Sequence, residues 1–309
     1  MRVAVVDIGT NSTRLLVAEV RDGAVVAELQ RESTVTRLGE GVDASGRLGD
    51  APMRRVFDVL ERYRAAIDEH GATHTTAVLT SAVRDAANGA EFTTIVRDRF
   101  ALDARTIGGD EEANLTFAGA TSERAHDGAE TLVVDIGGGS TEFVVGHDGE
   151  VTFHISTQAG VVRQSERHLH DDPPKPEQLQ ALAAEVHGIV DGAVPAEVRE
   201  RTGTGIAVAG TATQCAAIEL ALEPYDPSRV HGHILELATC ELLLARLAQM
   251  DNEQREEVVG LHPARAPTIV AGIAMLIEVM RAFGLQRVEV SEHDLLRGAA
   301  LALARAVGG

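Results

Sequence analysis

The chain has 309 residues, 44% of them hydrophobic and 3% aromatic, with no Trp and a formal net charge of −19. That length fits two ordinary domains with separate cores built mainly from Val, Leu, Ile and Ala, which suits helices packed on a parallel or mixed sheet better than an aromatic-rich sandwich. The negative balance excludes a general binder of nucleic acid or anionic membrane, whose surfaces are broadly positive.

In chain order, residues 3–29 read as strand, tight turn, strand, Asp22-Gly23 turn and strand. Neither a basic leader nor an apolar signal segment precedes Val3, and no run of about 18 apolar residues is read further on, so a soluble cytoplasmic chain is expected. Residues 52–70 place Met53, Val56, Val59, Leu60 and Tyr63 at helical spacing, 75–80 read as a strand, and 81–87 and 91–100 read as helices. Gly108-Gly109-Asp110 precedes a further helix beginning near Glu111, and residues 123–130 form a polar connector.

The opening pattern then returns: residues 132–156 read as strand, glycine turn, strand, Asp148-Gly149 turn and strand. A helix over 161–170, a Pro-rich loop at 171–176 and a helix over 177–191 follow, and the loop holds Lys175, the single lysine. Every other basic side chain is Arg, whose planar fork suits phosphate oxygens. A strand leads into AVAGTATQCAAIEL, and the remainder is mostly helical with a short strand at 287–291. Cys215 and Cys240 lie in apolar, helix-like surroundings and read as buried, reduced thiols. The expectation is an α/β protein with a duplicated β unit and two lobes, 1–124 and 125–294, with a cleft between them.

The two turns carry the chemistry. VAVVDIGTNSTRLLVAEV and VVDIGGGSTEFVV share Asp-Ile-Gly at the end of an apolar strand, just before a sharp reversal. Glycine in a strand costs stability and packs nothing, so bare backbone must serve another purpose there. Amides at such a tip point into a small concavity that attracts anions. Gly137, Gly138 and Gly139 let an oxygen approach closely, with Ser140 and Thr141 as hydroxyl donors; Gly9, Thr10, Asn11 and Ser12 supply the same groups in the first copy. A Walker loop and a dinucleotide fingerprint are excluded, because both run into a helix and residues 141–145 read as a strand.

A carboxylate about 4 Å from a phosphate oxygen repels it by about 1 kcal/mol even in water. Asp7 and Asp135 beside the turns therefore call for a hard cation, and Mg²⁺ is the natural candidate, with Glu142 as a weaker third ligand or a solvated strand residue. Asp110, Glu111 and Glu112, taken alone, read as acids suited to a helix's first turn.

With LTSAVRDAANG at 79–89, GGDEEANLTFAG at 108–119, GVVRQSERHL at 160–169, AVAGTATQCAAI at 207–218 and GLHPARAPTIVAGIAMLIE at 260–278, the turn pair resembles the exopolyphosphatase and guanosine pentaphosphate phosphohydrolase family. That family belongs to the actin and sugar-kinase superfamily, so two ribonuclease-H-like lobes are implied. The resemblance implies hydrolysis of a terminal phosphate from inorganic polyphosphate with Mg²⁺, or alternatively from guanosine pentaphosphate. More distantly, it implies a non-catalytic, nucleotide-sensing actin-like protein. It gives Glu112 the role of acting on the attacking water and Arg84 that of a phosphate ligand, and it implies a homodimer. By the same analogy the last helix, 295–309, packs back onto the first lobe, in a short form without the extra helical region of longer relatives. The family often shows Gly-Leu-Arg-Glu-Gly where this chain has Asp294-Leu295-Leu296-Arg297-Gly298.

Overall fold

The structure, a computed structural model, describes residues 1–125 and 127–308. His126, within the expected connector, and Gly309, at the end of the expected last helix, lie outside the described residues. The chain forms two compact units: Met1–Ser122 together with His293–Gly309, and Glu123–Glu292.

In the first unit, strands β1 (Arg2–Ile8), β2 (Ser12–Arg21), β3 (Ala24–Val35), β4 (His74–Leu79) and β5 (Asp103–Thr106) make one sheet in the order β3-β2-β1-β4-β5. β1 pairs antiparallel with β2 and parallel with β4, and β4 pairs parallel with β5. Alternate residues of a strand face opposite sides, and β1 is apolar on both. Ala4, Val6 and Ile8 pack with Leu60, Tyr63, Phe92 and Val96 from helices Asp50–Glu69 and Gly89–Phe100. Val3 and Val5 pack with Leu115, Leu295, Leu296 and Ala299 from helices Gly109–Ala120 and Leu295–Gly308. A central strand buried on both faces reads as a continuous apolar run, as β1 does.

The last helix of the chain is therefore a layer of the first unit. It approaches helix Gly109–Ala120 so closely that a Cβ on Gly298 would lie 1.8 Å from the Leu115 carbonyl oxygen. Gly298→Ala should force the two helices apart and destabilise the fold by about 1–3 kcal/mol, the usual cost of overpacking. Urea unfolding followed by circular dichroism reads this as a lowered midpoint, and an unchanged midpoint would contradict it.

In the second unit, β6 (Thr131–Ile136), β7 (Thr141–His147), β8 (Glu150–Thr157), β9 (Thr204–Val208), β10 (Ile234–Glu236) and β11 (Arg287–Val290) form a sheet in the order β10-β11-β9-β6-β7-β8. The hairpins β6-β7-β8 with parallel β9 and β11 repeat β1-β2-β3 with parallel β4 and β5. Each unit has the ribonuclease-H-like order expected of the superfamily. The Asp-Gly hairpin turns match in detail, since Asp22, Gly23, Asp148 and Gly149 all have φ between 52° and 83°, as a two-residue turn that follows the strands' twist requires.

Four sequence expectations differ from the structure. β5 and β10 are unpredicted: DART is four residues, partly exposed and without alternating apolar positions, and β10 has three residues within a stretch read as helical. The helix expected over 161–170 ends at His168. Pro263–Ala282 is long and apolar enough to cross a membrane by length and composition, with a mean hydropathy of 1.4. Its Ile269, Ile273, Met275, Leu276 and Met280 are buried in the second unit's core. Cys215 and Cys240 are free and buried there, and burial pushes the Cys240 thiol up to about 12.

Candidate functional site

In the first unit the carboxyl ends of β1, β4 and β5 are tied together: the Thr80 amide donates to the Ile8 carbonyl (3.3 Å) and the Ile107 amide to the Leu79 carbonyl (3.0 Å). Ligands of open α/β sheets bind at such strand ends. Each strand there delivers one expected element: the Gly9–Ser12 turn after β1, Arg84 on helix Ser81–Asp85 after β4, and Glu112 on helix Gly109–Ala120 after β5.

The Gly9 amide closes its turn on the Ser12 carbonyl at 3.0 Å. The carbonyls of Thr10 and Asn11 accept from Gly39 (2.8 Å) and from Thr36 and Arg37 (both 2.9 Å). The turn's acceptors are thus engaged, and among the described residues nothing accepts from the Thr10 and Asn11 amides. The second unit repeats this. The Gly137 amide closes on the Ser140 carbonyl (3.0 Å), and the carbonyls of Gly137 and Gly138 accept from Val161 and Val162 (both 2.9 Å), at the start of helix Val161–His168. Among the described residues no acceptor meets the amides of Gly138, Gly139 or Ser140.

A Cβ on Gly160 would lie 2.4 Å from the Gly138 carbonyl carbon, so bare backbone on both segments lets the helix start press against the turn. Unpaired amides gathered at a tip whose carbonyls are used elsewhere form an anion nest. Thr141 departs from the expected role of hydroxyl donor: its Oγ1 donates to the Ala159 carbonyl at 2.6 Å and ties the turn to the segment before that helix.

Arg84 and Glu112 meet directly. Arg84 Nη1 donates to Glu112 Oε2 at 2.9 Å and to the Ile107 carbonyl at 3.1 Å, and Glu112 is 7% exposed. A charge-assisted pair of this kind is short and directional, and it fixes where the carboxylate points. Glu111, one position earlier, pairs with Arg105 in a half-exposed bridge and behaves as an ordinary helix-start acid. The two neighbouring glutamates are separated by which side of the helix turn they occupy.

The aspartates sit at equivalent places but face different partners. Asp7 lies opposite Arg14 in the β1–β2 ladder, and Asp135 opposite Glu142 in the β6–β7 ladder. Asp7 Oδ2 accepts from Arg14 Nε at 2.7 Å, whereas its Oδ1 is buried with no hydrogen-bond partner among the described residues. Burial pushes the Asp7 carboxyl above the usual carboxylate range, opposed by the Arg14 guanidinium and reinforced by nearby Asp294. Glu142 is 2% exposed and accepts from Ser156 Oγ at 2.8 Å, which removes the solvated-strand alternative.

Three residues of the first-unit site escaped the sequence reading. Arg14 could have been found from the tight turn, which fixes it opposite Asp7. Ser81, buried with an Oγ that has no partner among the described residues, follows β4 after Thr80 and stands three positions before Arg84. Asp294, noted in the sequence only as the start of the 294–298 run, is bonded to Arg14, a contact 280 residues away that no local pattern signals. Gly210-Thr211-Ala212-Thr213 opens helix Ala209–Glu219 in the second unit, where the Arg265 guanidinium lies against Gly210.

Residues 16–304 match the model of the Ppx/GppA phosphatase family. Exopolyphosphatase 2 of Mycobacterium tuberculosis is 37% identical over 315 residues, covering 98% of each chain. A solved structure of a Ppx/GppA family member from Aquifex aeolicus is 30% identical with a TM-score of 0.82, over 100% of this chain and 99% of that one. A solved exopolyphosphatase-like protein is 33% identical with a TM-score of 0.93 over the same shares.

Proposed function

This chain belongs to the Ppx/GppA phosphatase family and is a phosphoanhydride hydrolase, and on that footing we propose that it is an exopolyphosphatase, removing the terminal phosphate of inorganic polyphosphate as orthophosphate. The observation that carries this reading is the Arg84–Glu112 pair at the carboxyl ends of β1, β4 and β5, beside a turn with unpaired amides. Phosphoryl transfer to water asks the protein mainly for alignment and for stabilisation of charge on the equatorial oxygens. The amides of Thr10 and Asn11, and those of Gly138, Gly139 and Ser140, are the groups that bind phosphate oxygens. Arg84 offers its remaining N–H groups to the same oxygens, and Glu112, held in place by Arg84, orients the water and takes its proton.

The donor set fits a hard divalent cation. Asp7 Oδ1 is a buried carboxylate oxygen with no partner among the described residues, and an oxygen of that kind suits Mg²⁺. Asp7 would hold the ion in the first unit, and Asp135 and Glu142 are the candidates in the second. When bound, Mg²⁺ supplies positive charge that offsets the repulsion between these acids and the phosphates.

Phosphate release measured side by side on long polyphosphate, short polyphosphate and guanosine pentaphosphate tests the assignment. A higher kcat/KM on polyphosphate is expected. A higher value on the pentaphosphate would transfer the chain to the alternative activity, and no release from any of the three would contradict both.

A further inference from the structure

We infer that Arg14 and Asp294 form a positioning pair that holds Asp7 with one charged oxygen open to a divalent cation; this rests on the reading of Asp7 as a cation ligand. Arg14 Nε and Nη2 both meet Asp7 Oδ2 at 2.7 Å. That fork fixes the carboxylate's orientation and leaves Oδ1 buried and unbonded among the described residues. A guanidinium devoted to Asp7 alone would cancel its charge and so compete with a cation. Arg14 is not devoted to it, because its Nη1 bonds Asp294 Oδ2. One positive group is thereby divided between two acids that are both buried.

Asp294 is itself well anchored. Its Oδ1 accepts from the Leu296 amide at 3.0 Å, at the start of the last helix, and stands 3.9 Å from Arg31 Nη1. Arg31 in turn pairs with Glu28 (2.9 Å), and Glu28 with Arg297 (3.4 Å). Acids and bases alternate along this run from β1 to the last helix, and Arg14 and Arg31 each face two acids. The Asp294 main chain also presses on the helix that carries Glu112, where a Cβ on Gly119 would lie 1.9 Å from its carbonyl oxygen. The segment that opens the last helix thereby reaches Asp7 through Arg14. Groups that orient a metal ligand and set its charge govern affinity nearly as strongly as the ligand itself.

The test is Mn²⁺ binding to the intact chain without substrate, followed by electron paramagnetic resonance. Asp294→Asn and Asp294→Ser keep an oxygen able to accept from the Leu296 amide but remove the charge. Arg14→Lys keeps a charge but lacks the fork. Each should bind Mn²⁺ about tenfold more weakly with an unchanged circular dichroism spectrum, and Asp7→Asn should lose the site. Wild-type Mn²⁺ affinity in the Asp294 and Arg14 variants, with loss in Asp7→Asn, would overturn the positioning role while leaving Asp7 as ligand. Wild-type affinity in Asp7→Asn would overturn the reading of Asp7 on which this inference stands.

Discussion

Replacing Glu112 by glutamine should lower kcat on polyphosphate by about 10²–10⁴-fold, the usual contribution of a positioned general base, with little change in substrate binding. Glutamine keeps the size of the side chain, and its amide oxygen can still accept from Arg84 Nη1, which now bonds Oε2 at 2.9 Å. The pair's geometry, and with it the placement of helix Gly109–Ala120, should survive. What disappears is the ability to take a proton. If Glu112 served only to anchor Arg84, the glutamine variant would keep most of its rate, because the anchor is preserved. A variant that loses kcat and keeps its affinity for polyphosphate has lost an interaction made at the transition state rather than in the ground state. Retention of the wild-type rate would contradict the assignment.

Asp7→Asn should have two effects of opposite value. Activity should fall by about 10²–10³-fold, the range seen when one charge-stabilising group is removed from a preorganised site. Stability in the absence of divalent cation should rise at neutral pH, by an amount on the order of 1 kcal/mol. The sign follows from linkage. Burial raises the folded-state value of Asp7, although Arg14 opposes the shift. The unfolded chain gives up this proton first as pH rises, so ionisation weakens the fold progressively between the unfolded value and the raised folded one. Above that window the penalty is complete, and below the unfolded value it vanishes. Thermal unfolding of both proteins at neutral and acid pH should show the variant ahead at neutral pH, with the gap closing as pH falls. A variant less stable than wild type at pH 7 would mean that the bond to Arg14 outweighs the cost of burial.

The parts of this fold that were legible are those fixed by local pattern. Asp-Ile-Gly occurs twice at the end of an apolar run, and Asp22-Gly23 and Asp148-Gly149 mark hairpins through a backbone conformation few other dipeptides adopt. What was not legible arises from neighbours far apart in sequence. Arg84 and Glu112 stand 28 residues apart and meet only because β4 and β5 lie side by side, and β5 itself is too short and polar to announce a strand. Arg14 and Asp294 are separated by 280 residues and meet because the last helix covers the face of β1 that holds Val3 and Val5. Glu142 looks solvated in sequence because a charged residue in a strand usually is; here it belongs to β7, which lies between β6 and β8 and is buried along most of its length.

On this reading the unpaired amides of the two glycine-type turns are the phosphate ligands. A crystal structure of the Glu112→Gln variant with polyphosphate bound tests it most directly. The terminal phosphate should accept hydrogen bonds from the amides of Thr10 and Asn11 or of Gly138, Gly139 and Ser140. A chain bound through other groups, with both sets of amides left to solvent, would contradict the account.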